Sequence, residues 1–322
     1  MTHEDQVDHQ PVLPEEVLAG LSVQSGRHYV DCTLGGAGHA RLILEASAPR
    51  GRLLGLDSDS EAIDRCRRRL APHQQRLTLV QANFSSLAET ARAYGFGRVH
   101  GVLFDLGLSS FQLAARERGF SFQLDGPLDM RFDRRQGRTA ADLLNGLSES
   151  ELADLFWRYG EERYSRRIAR HVVQNRPLRT TSELAEAVAQ CVGRRGRLHP
   201  ATKAFMALRV ATNKELVVLE AALPQAMRLL VPGQGRLAVL SYHSLEDRVV
   251  KHWLRREAHD CICPPRVPQC LCDHRAGLRI LTSRPLRPSP DEIADNPRSR
   301  SARLRLAERL PQTRTSARLE EA

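Results

Sequence analysis

The segment His28–His39, HYVDCTLGGAGH, constrains the fold of this chain more than any other stretch. A short apolar run ends in Asp31, a turn-prone segment with closely spaced glycines follows, and an apolar helix-like run begins at Ala40. Open α/β sheets build nucleotide sites from this succession, because glycine lets the backbone turn sharply near a ligand and a helix N-terminus offers unpaired N–H groups. A plain glycine-rich turn is the alternative, since the loop matches neither G-x-G-x-x-G nor a phosphate-binding P-loop.

The runs of apolar residues predict a parallel α/β sheet. After the first strand, apolar runs predict further strands at Arg52–Asp57, Leu77–Asn83, Val99–Asp105, Gly235–Tyr242, Leu278–Ser283 and Ala302–Ala307. Helical patterns at Pro14–Leu21 and Ser60–Leu70 separate the early strands. Near-continuous apolar strands of this kind are typical of a parallel sheet covered by helices on both faces.

A helical segment interrupts this pattern after the fourth predicted strand. Leu143–Gln174 reads as strongly helical, Ser148 and Thr180 begin capping boxes, and a further helix is expected from Ala201 to about Leu219, with Pro224 interrupting or restarting the pattern. We therefore predict three parts: a first core segment at 1–112, an inserted helical substrate-recognition domain at 113–213, and a second core segment at 214–322 with a cysteine-containing connector.

Three of the predicted strands end in an acid: Asp31, Asp57 and Asp105. Open α/β sheets bind ligands in the crevice beyond those strand ends. A carboxylate at Asp57 suits a ribose, because it can accept hydrogen bonds from two neighbouring hydroxyl groups. Asp105 could accept a hydrogen bond from a target amine, as acids or amides at this strand end do in amino-methylating enzymes. The alternative is that each Asp only caps the following helix.

The fifth predicted strand leads into SYHSLED, Ser241–Asp247, where His243 is a candidate catalytic residue. An imidazole facing the crevice could accept a proton or pair with a phosphate. The alternative is a structural histidine, with Ser244 and Asp247 forming a helix N-cap signature that has no catalytic content.

The charge balance indicates a polyanionic partner. The chain of 322 residues carries a formal net charge of +10, which favours nucleic acid over a neutral ligand, although a solvated basic surface is the alternative. No apolar run is long enough for a membrane span, and the acidic N-terminal stretch lacks the apolar region of a secretory signal. With scattered cysteines and no disulfide framework, we expect a cytoplasmic protein.

Four cysteines form the single metal-like pattern in the sequence: Cys261, Cys263, Cys270 and Cys272. Two such thiolate pairs could close a tetrahedral zinc site, with His274 as a spare ligand. A reduced thiol cluster in a connector is the alternative, and the spacing does not decide between them. The chemistry predicted for the strand ends needs no metal.

Motifs along nearly the whole chain identify a family. The chain resembles the bacterial ribosomal RNA small subunit methyltransferase H family, also called MraW. The resemblance rests on the segments His9–Leu18, Asp31–Leu44, Phe104–Leu113, Glu117–Arg131, Tyr159–Arg170, His199–Arg209, Ser241–Lys251 and Asn296–Arg309. It implies a Rossmann-like S-adenosylmethionine-dependent methyltransferase core with an inserted helical domain. The implied activity is methylation of the exocyclic N4 amine of one cytidine in the decoding region of 16S rRNA.

The resemblance also implies which residues hold the cofactor, S-adenosylmethionine. Its methionine and adenosine portions are expected against Ala37, Gly38 and His39, its ribose at Asp57 and its adenine at Phe84, with Asp105 and Gln112 completing the pocket. Ala37 stands where the family commonly has glycine, so we expect a negative φ at this position. The resemblance does not imply catalytic roles for Asp105 and His243. We infer the role of Asp105 by analogy with amino-methylating enzymes, and the role of His243 from its position after the fifth strand.

The partner implied is 16S rRNA, within the small ribosomal subunit, and no membrane. Arginines recurring along one predicted helix would contact phosphates: Arg163, Arg166, Arg167 and Arg170. The alternative is a solvated helix face paired with Glu161 and Glu162. A homodimer is compatible with the sequence, which does not determine the oligomeric state.

Two other classes of function are alternatives to an RNA methyltransferase. An NAD-type oxidoreductase is disfavoured, because the glycine fingerprint is wrong and no dehydrogenase-like acid–base pair stands out. A non-catalytic RNA-binding or ribosome-assembly factor would use the basic surface alone, and such a protein gains nothing from carboxylates in its crevice. Calorimetry distinguishes these three functions: a methyltransferase binds S-adenosylmethionine, an oxidoreductase binds NAD, and an assembly factor binds neither.

Overall fold

The computed structural model describes residues 10–193, 199–264 and 269–311. Within these ranges the chain forms two compact units. One unit, the helical unit, contains Ser58–Ser60 and Leu108–Val218, and the other, the sheet unit, contains the remaining described residues. The predicted helical segment at 113–213 falls inside Leu108–Val218 of the helical unit.

The sheet unit is built on seven strands in the order β3-β2-β1-β4-β5-β7-β6. The strands are β1 (His28–Asp31), β2 (Arg52–Asp57), β3 (Leu77–Gln81), β4 (Gly101–Asp105), β5 (Arg236–Ser241), β6 (Leu278–Ile280) and β7 (Arg303–Arg309). Strands β1 to β5 pair in parallel, whereas β7 runs antiparallel to both β5 and β6. The predicted Rossmann-like α/β class is therefore confirmed.

Thirteen α-helices lie in the described ranges. They are α1 (Pro14–Leu21), α2 (Gly38–Ala46), α3 (Ser60–Arg69), α4 (Leu87–Ala93), α5 (Ser110–Ala114), α6 (Ala140–Gly146), α7 (Glu149–Gly160), α8 (Ser165–Gln174), α9 (Thr181–Val192), α10 (Thr202–Asn213), α11 (Glu215–Leu229), α12 (Ser244–Glu257) and α13 (Pro290–Asp295). Among these residues no helix combines the length and apolarity that crossing a bilayer requires.

Apolar side chains from both faces of the sheet are buried. Successive residues of a strand point to opposite faces, so Val102 and Phe104 join one buried cluster while Leu103 joins the other. Leu237 and Ala238 divide between the same two clusters. This two-sided burial explains why the strands read as continuous apolar runs rather than as alternating patterns.

Several predicted strand boundaries are wrong: the sixth strand ends at Ile280 rather than Ser283, and the seventh ends at Arg309 rather than Ala307. Two further errors have local reasons. The third strand was expected to reach Asn83 but ends at Gln81, because the Asn83 side chain turns to accept a hydrogen bond from the backbone N–H of Ser85 and begins a 3₁₀ turn. The fourth was expected to start at Val99 but starts at Gly101, and Val99 forms only an isolated bridge with Leu230.

The helical unit packs around its own apolar core, which includes Phe156, Ile168 and Leu208. The predicted capping boxes at Ser148 and Thr180 are confirmed. The helix expected from Ala201 to Leu219 is interrupted earlier than predicted.

Two helices, α10 and α11, occupy the region around this interruption. Lys214 adopts a left-handed conformation between them, with φ of 51°, whereas Pro224 lies inside α11 without ending it. Asn213 helps to end α10, because its side chain accepts from the N–H of Phe132 and donates to the carbonyl of Met130. These contacts with a distant segment could not be read from local pattern.

Candidate functional site

The glycine loop joins the end of β1 to the start of α2 in the sheet unit. The Asp31 carboxylate accepts from the N–H of Thr33 at 3.0 Å, and the Thr33 hydroxyl accepts from the N–H of Asp105 at 2.6 Å. The loop is therefore tied to the ends of both β1 and β4. Because β2 pairs with one edge of β1 and β4 with the other, the loop lies where the strand order reverses, which is where open α/β sheets bind ligands.

Ala37 adopts a left-handed conformation, with φ of 72°, at the N-cap position of α2. The expected negative φ is therefore wrong. The turn is closed by a backbone hydrogen bond of 2.7 Å from Ala37 to Leu34, and the Ala37 methyl group is buried. The left-handed region disfavours a side chain by about 1–2 kcal/mol, and burial of the methyl group offsets part of that cost.

Asp57 ends β2 beside this loop. Its Oδ2 atom accepts from the N–H of Gly35 at 3.0 Å, and its carbonyl oxygen accepts from the N–H of Ala82 at 3.0 Å. These two contacts place the carboxylate against the first half of the loop and connect it to the segment that follows β3. A carboxylate has about four lone-pair sites on its two oxygens, so it can accept from hydroxyl groups of a ligand as well as from a backbone N–H.

Phe84 follows β3 in the same part of the sheet unit. It begins the 3₁₀ turn that Asn83 caps, and its ring packs edge-on against Phe104 with centroids 5.4 Å apart. The ring is half-buried, so one part of it supports the core. An aromatic ring in this position can pack against a planar ligand group.

Asp105, at the end of β4, has a partner on each carboxylate oxygen. Tyr242 donates its hydroxyl hydrogen to Oδ1 at 2.7 Å, and His39 Nδ1 lies 3.4 Å from Oδ2. Burial, with the neighbouring Asp105 charge, raises the pKa of Tyr242 well above its ordinary value, so the hydroxyl stays protonated as a donor. The Asp105 side chain is still 17% exposed, which leaves it accessible to a ligand.

His39 and Asp31 complete a buried group of titratable residues around Asp105. The His39 ring also contacts the carbonyl oxygen of Val12 through Nε2 at 2.9 Å. Burial by itself lowers the pKa of His39, but the hydrogen bond and charge of Asp105, with the charge of Asp31, raise it overall. Burial raises the pKa of Asp31 to about 7, although the hydrogen bond from the Thr33 N–H and the charge of His39 both lower it.

Gln112 belongs to the helical unit, whereas the other predicted cofactor residues belong to the sheet unit. It forms a capping box with Ser109 at the start of α5, and its side-chain amide donates to Oδ2 of Asp59 at 3.0 Å. Asp59 also accepts from the buried Arg118 at 2.7 Å. These contacts give Gln112 a structural function within its own unit, and its part in cofactor binding stays a prediction.

His243 is the N-cap of α12. Its Nδ1 accepts from the N–H of Glu246 at 3.5 Å, and the Glu246 carboxylate accepts from the N–H groups of Tyr242 and His243. The capping box is thus one residue earlier than the predicted Ser244–Asp247 pair. Asp247 is instead paired with Arg303 and Arg305 of β7. The catalytic part of His243 stays a prediction.

Tyr242 is the site residue that sequence reasoning missed. In the structure it follows β5 directly, one residue beyond the strand-end position that the acids occupy in β1, β2 and β4. It is the last residue of the fifth strand as predicted, Gly235–Tyr242, so the strand-end rule could have included it. The rule was applied only to charged side chains. Its contact with Asp105 depends on β4 and β5 being neighbours, which the sequence did not reveal.

The predicted phosphate-contacting arginines are exposed in the helical unit: Arg163, Arg166, Arg167 and Arg170. Arg163 precedes α8, and its guanidinium carbon lies 4.6 Å from the centroid of the Tyr164 ring. Arg170 Nε lies 3.4 Å from Oε1 of Glu149. Glu162, which the alternative interpretation paired with these arginines, is buried and accepts from the N–H of Tyr164. Glu161 and Glu149 are exposed beside the four arginines, so this surface carries a net positive charge that the two acids offset in part.

Comparison with known proteins supports the family resemblance over nearly the whole chain. A family model described as the MraW methylase family matches residues 6–310. A relative from Thermomicrobium roseum, named ribosomal RNA small subunit methyltransferase H, is 55% identical over 306 residues, covering 94% of this chain and 94% of the relative. A Dehalococcoides mccartyi relative of the same name is 54% identical over 303 residues, covering 94% of this chain and 86% of the relative.

Solved structures show weaker likeness. An rRNA methylase from Streptococcus thermophilus is 11% identical with a TM-score of 0.41, covering 94% of this chain and 98% of that one. A SAM-dependent O-methyltransferase from Thermotoga maritima is also 11% identical, with a TM-score of 0.43, covering 97% of this chain and 71% of that one.

Proposed function

Because the chain belongs to the MraW methylase family, we propose that it methylates the exocyclic N4 amine of one cytidine in the decoding region of 16S rRNA, using S-adenosylmethionine. The observation that carries this proposal is the family match over residues 6–310. The relatives' shared name supports ribosomal RNA of the small subunit as the substrate. The cytidine and its N4 atom rest on the motif resemblance. We expect the enzyme to act in the cytoplasm.

The start of α2 fits the charged end of S-adenosylmethionine. Ala37 has no side chain that can cap the helix, so a ligand carboxylate can take that place beside the first N–H groups. A Cβ atom at Gly38 would lie 3.1 Å from Pro11, so a larger residue there would crowd the turn. We assign Ala37, Gly38 and His39 to the methionine and adenosine portions of the cofactor.

The neighbouring strand ends fit the nucleoside part of the same molecule. Asp57 offers a carboxylate for the ribose hydroxyl groups, and the half-buried Phe84 ring offers a surface for adenine. We also assign Asp105 to cofactor binding, and the part of Gln112 stays a prediction from the family resemblance. When bound, S-adenosylmethionine supplies an electrophilic methyl group on a sulfonium sulfur.

Asp105 is the residue to which we assign orientation of the target amine. The N4 amine of cytosine is a poor nucleophile because its lone pair is conjugated with the ring. A carboxylate that accepts a hydrogen bond from this amine holds the lone pair toward the methyl group and gives the departing proton an acceptor. Tyr242 and His39 hold the two Asp105 oxygens, so the carboxylate is oriented before substrate binds. No covalent enzyme intermediate is required.

The exposed arginines support a second part of the proposal, that residues 113–213 recognise RNA. Guanidinium groups bind phosphates at any sequence, so this surface would contribute affinity rather than choice of base. The target cytidine must be unstacked to reach the half-buried carboxylate of Asp105, so we propose an accessible stretch of 16S rRNA in the small subunit as the substrate.

Nucleoside mass spectrometry of 16S rRNA from cells with and without the gene tests the activity directly. We expect an N4-methylated cytidine in the decoding region that disappears in the deletion strain and returns with the wild-type gene. Purified protein with labelled S-adenosylmethionine and subunits from the deletion strain should restore it. Asp105→Asn and Asp105→Ala should abolish transfer, whereas the exposed control Asp64→Asn should not.

The assembly-factor alternative makes the opposite forecast. Such a protein would bind rRNA but would neither bind S-adenosylmethionine in calorimetry nor change the nucleoside profile. Methylation at another atom or another nucleotide would retain the enzyme class and refute the proposed position. Near-normal turnover of both Asp105 variants at saturating cofactor would refute the assigned role of that carboxylate.

A further inference from the structure

The connector between α12 and β6 contains four cysteines whose sulfur atoms converge. The Sγ atoms of Cys261, Cys263, Cys270 and Cys272 all lie within 4.8 Å of one another. The proposed methyl transfer uses none of them. Their convergence therefore needs a separate explanation.

We propose that these four thiolates bind one structural zinc ion. Zinc with Zn–S bonds of about 2.3 Å in a tetrahedron requires sulfur–sulfur separations of about 3.8 Å. The Cys272 and Cys261 sulfurs are 3.8 Å apart, and those of Cys270 and Cys272 are 3.6 Å apart. A disulfide needs about 2.05 Å, so the spacing matches ligands of one metal ion rather than a covalent pair.

The backbone around the cluster is arranged to stabilise thiolates. The N–H groups of Ile262 and Cys263 point to the sulfurs of Cys272 and Cys261, each at 3.4 Å. The N–H of Leu271 points to the Cys263 sulfur, also at 3.4 Å. Such donors partly neutralise the negative charge that four thiolates leave on a zinc site after their protons are released.

Hydrophobic burial cannot explain why the cysteines meet. Among the described residues from His259 to Gly277, none is buried, and Leu271 is 78% exposed. Cysteine is ordinarily among the most buried residue types, and a connector without an apolar core has little to hold its tip together. A metal ion supplies that cross-link.

Other contacts close the base of the connector, so the proposed ligands of the metal are the four cysteine sulfurs alone. The N–H of Gly277 donates to the Glu257 carbonyl at 2.8 Å. His274, the predicted spare ligand, directs Nε2 to the Arg256 carbonyl at 3.0 Å and is not part of the cluster. An iron–sulfur cluster would space the cysteine sulfurs more widely, because sulfide ions and several irons lie between them.

Metal analysis of the full-length protein, purified without chelator, tests this proposal. We expect about one zinc ion per chain, and on the order of a tenth of that or less in the double variant Cys261→Ser/Cys272→Ser. The control Cys191→Ala removes a cysteine outside the cluster and should retain the metal. Circular dichroism establishes that each variant is folded.

A second measurement does not depend on the variants. After chelation, the wild-type protein should gain four rapidly reacting thiols toward a thiol reagent, and added zinc should protect them again. Cobalt in place of zinc should give the visible absorption of a tetrahedral thiolate site. Four thiols that react equally with and without zinc, iron as the bound metal, or disulfides among these cysteines in freshly reduced preparations would overturn the proposal.

Discussion

Tyr242 donates its phenolic hydrogen to Oδ1 of Asp105 across 2.7 Å and so connects the end of β5 to the end of β4. On the proposed mechanism, this bond makes Tyr242 a positioning residue for the carboxylate that receives the target amine. The bond joins a neutral donor to a carboxylate, which is the stronger class of hydrogen bond.

Replacing Tyr242 with Phe should lower kcat by roughly 10-fold to 100-fold, the equivalent of one hydrogen bond to a charged group. KM for S-adenosylmethionine should change little, because the ring still fills its place. Steady-state kinetics checks both values, with Tyr94→Phe, an exposed tyrosine, as the control. An unchanged kcat would show that Asp105 does not need this donor.

Asp31 should make stability fall as pH rises toward neutrality. Its folded-state pKa of about 7 exceeds the ordinary value of about 3.9, so between these values the folded protein keeps a proton that the unfolded chain has released. Asp31→Asn should abolish this part of the loss, which is on the order of 4 kcal/mol at most.

Urea unfolding at pH 5 and pH 8 measures the Asp31 effect. The difference between the two free energies of unfolding should be smaller in Asp31→Asn than in the wild type or in Asp64→Asn. His39 will leave a residual slope of the same sign, because its raised pKa gives stability that is lost as pH rises through that value. Identical pH dependence in all three proteins would contradict the assignment.

His243 can be tested with two substitutions that differ in capping. Asn caps helices well, whereas Ala does not, so His243→Ala should lose about 1 kcal/mol of stability and His243→Asn should lose little. If the imidazole also acts as a proton acceptor, both should lose at least about 100-fold in turnover. Normal turnover in folded His243→Asn would restrict this residue to its cap.

Arg118 holds a buried charge in the helical unit. Its side chain is 1% exposed, pairs with Asp59 at 2.7 Å and also donates to the carbonyl oxygens of Arg131 and Phe132. Arg118→Met should cost about 3–5 kcal/mol, because it leaves the Asp59 charge buried without its ionic partner. Adding Asp59→Asn should recover part of the loss. Urea midpoints of the single and double variants give the comparison.

The basic face of α8 should govern affinity for rRNA. Arg166→Glu/Arg167→Glu should weaken subunit binding at least about 10-fold and make it less salt-dependent, because fewer counterions are released. The control Arg67→Glu/Arg68→Glu makes the same charge change on exposed residues of α3. Filter binding at several salt concentrations measures both. Equal losses in the two variants would mean that only net charge matters.

Much of this architecture follows from short-range pattern. The near-continuous apolar runs predicted the parallel sheet, and the strand-end acids Asp31, Asp57 and Asp105, together with the glycine loop, predicted a ligand crevice at the carboxyl ends of the strands. Backbone conformation at Ala37 was not predictable in the same way, because its positive φ depends on the turn to Leu34 and on packing of the methyl group. The shift of the α12 cap to His243 likewise depends on which side chain reaches the Glu246 N–H.

The sequence by itself determined the family, the run of apolar strands and the residue types available at their ends, because periodicity and motif order are local properties of a chain. Tertiary structure alone decided that Tyr242 meets Asp105, that β7 enters the sheet antiparallel and that four cysteine sulfurs converge. The first two of these contacts join residues far apart in the chain, and their geometry is set by how whole elements pack. The cysteines are close in the chain, but their spacing alone left a metal site and a plain thiol cluster equally open.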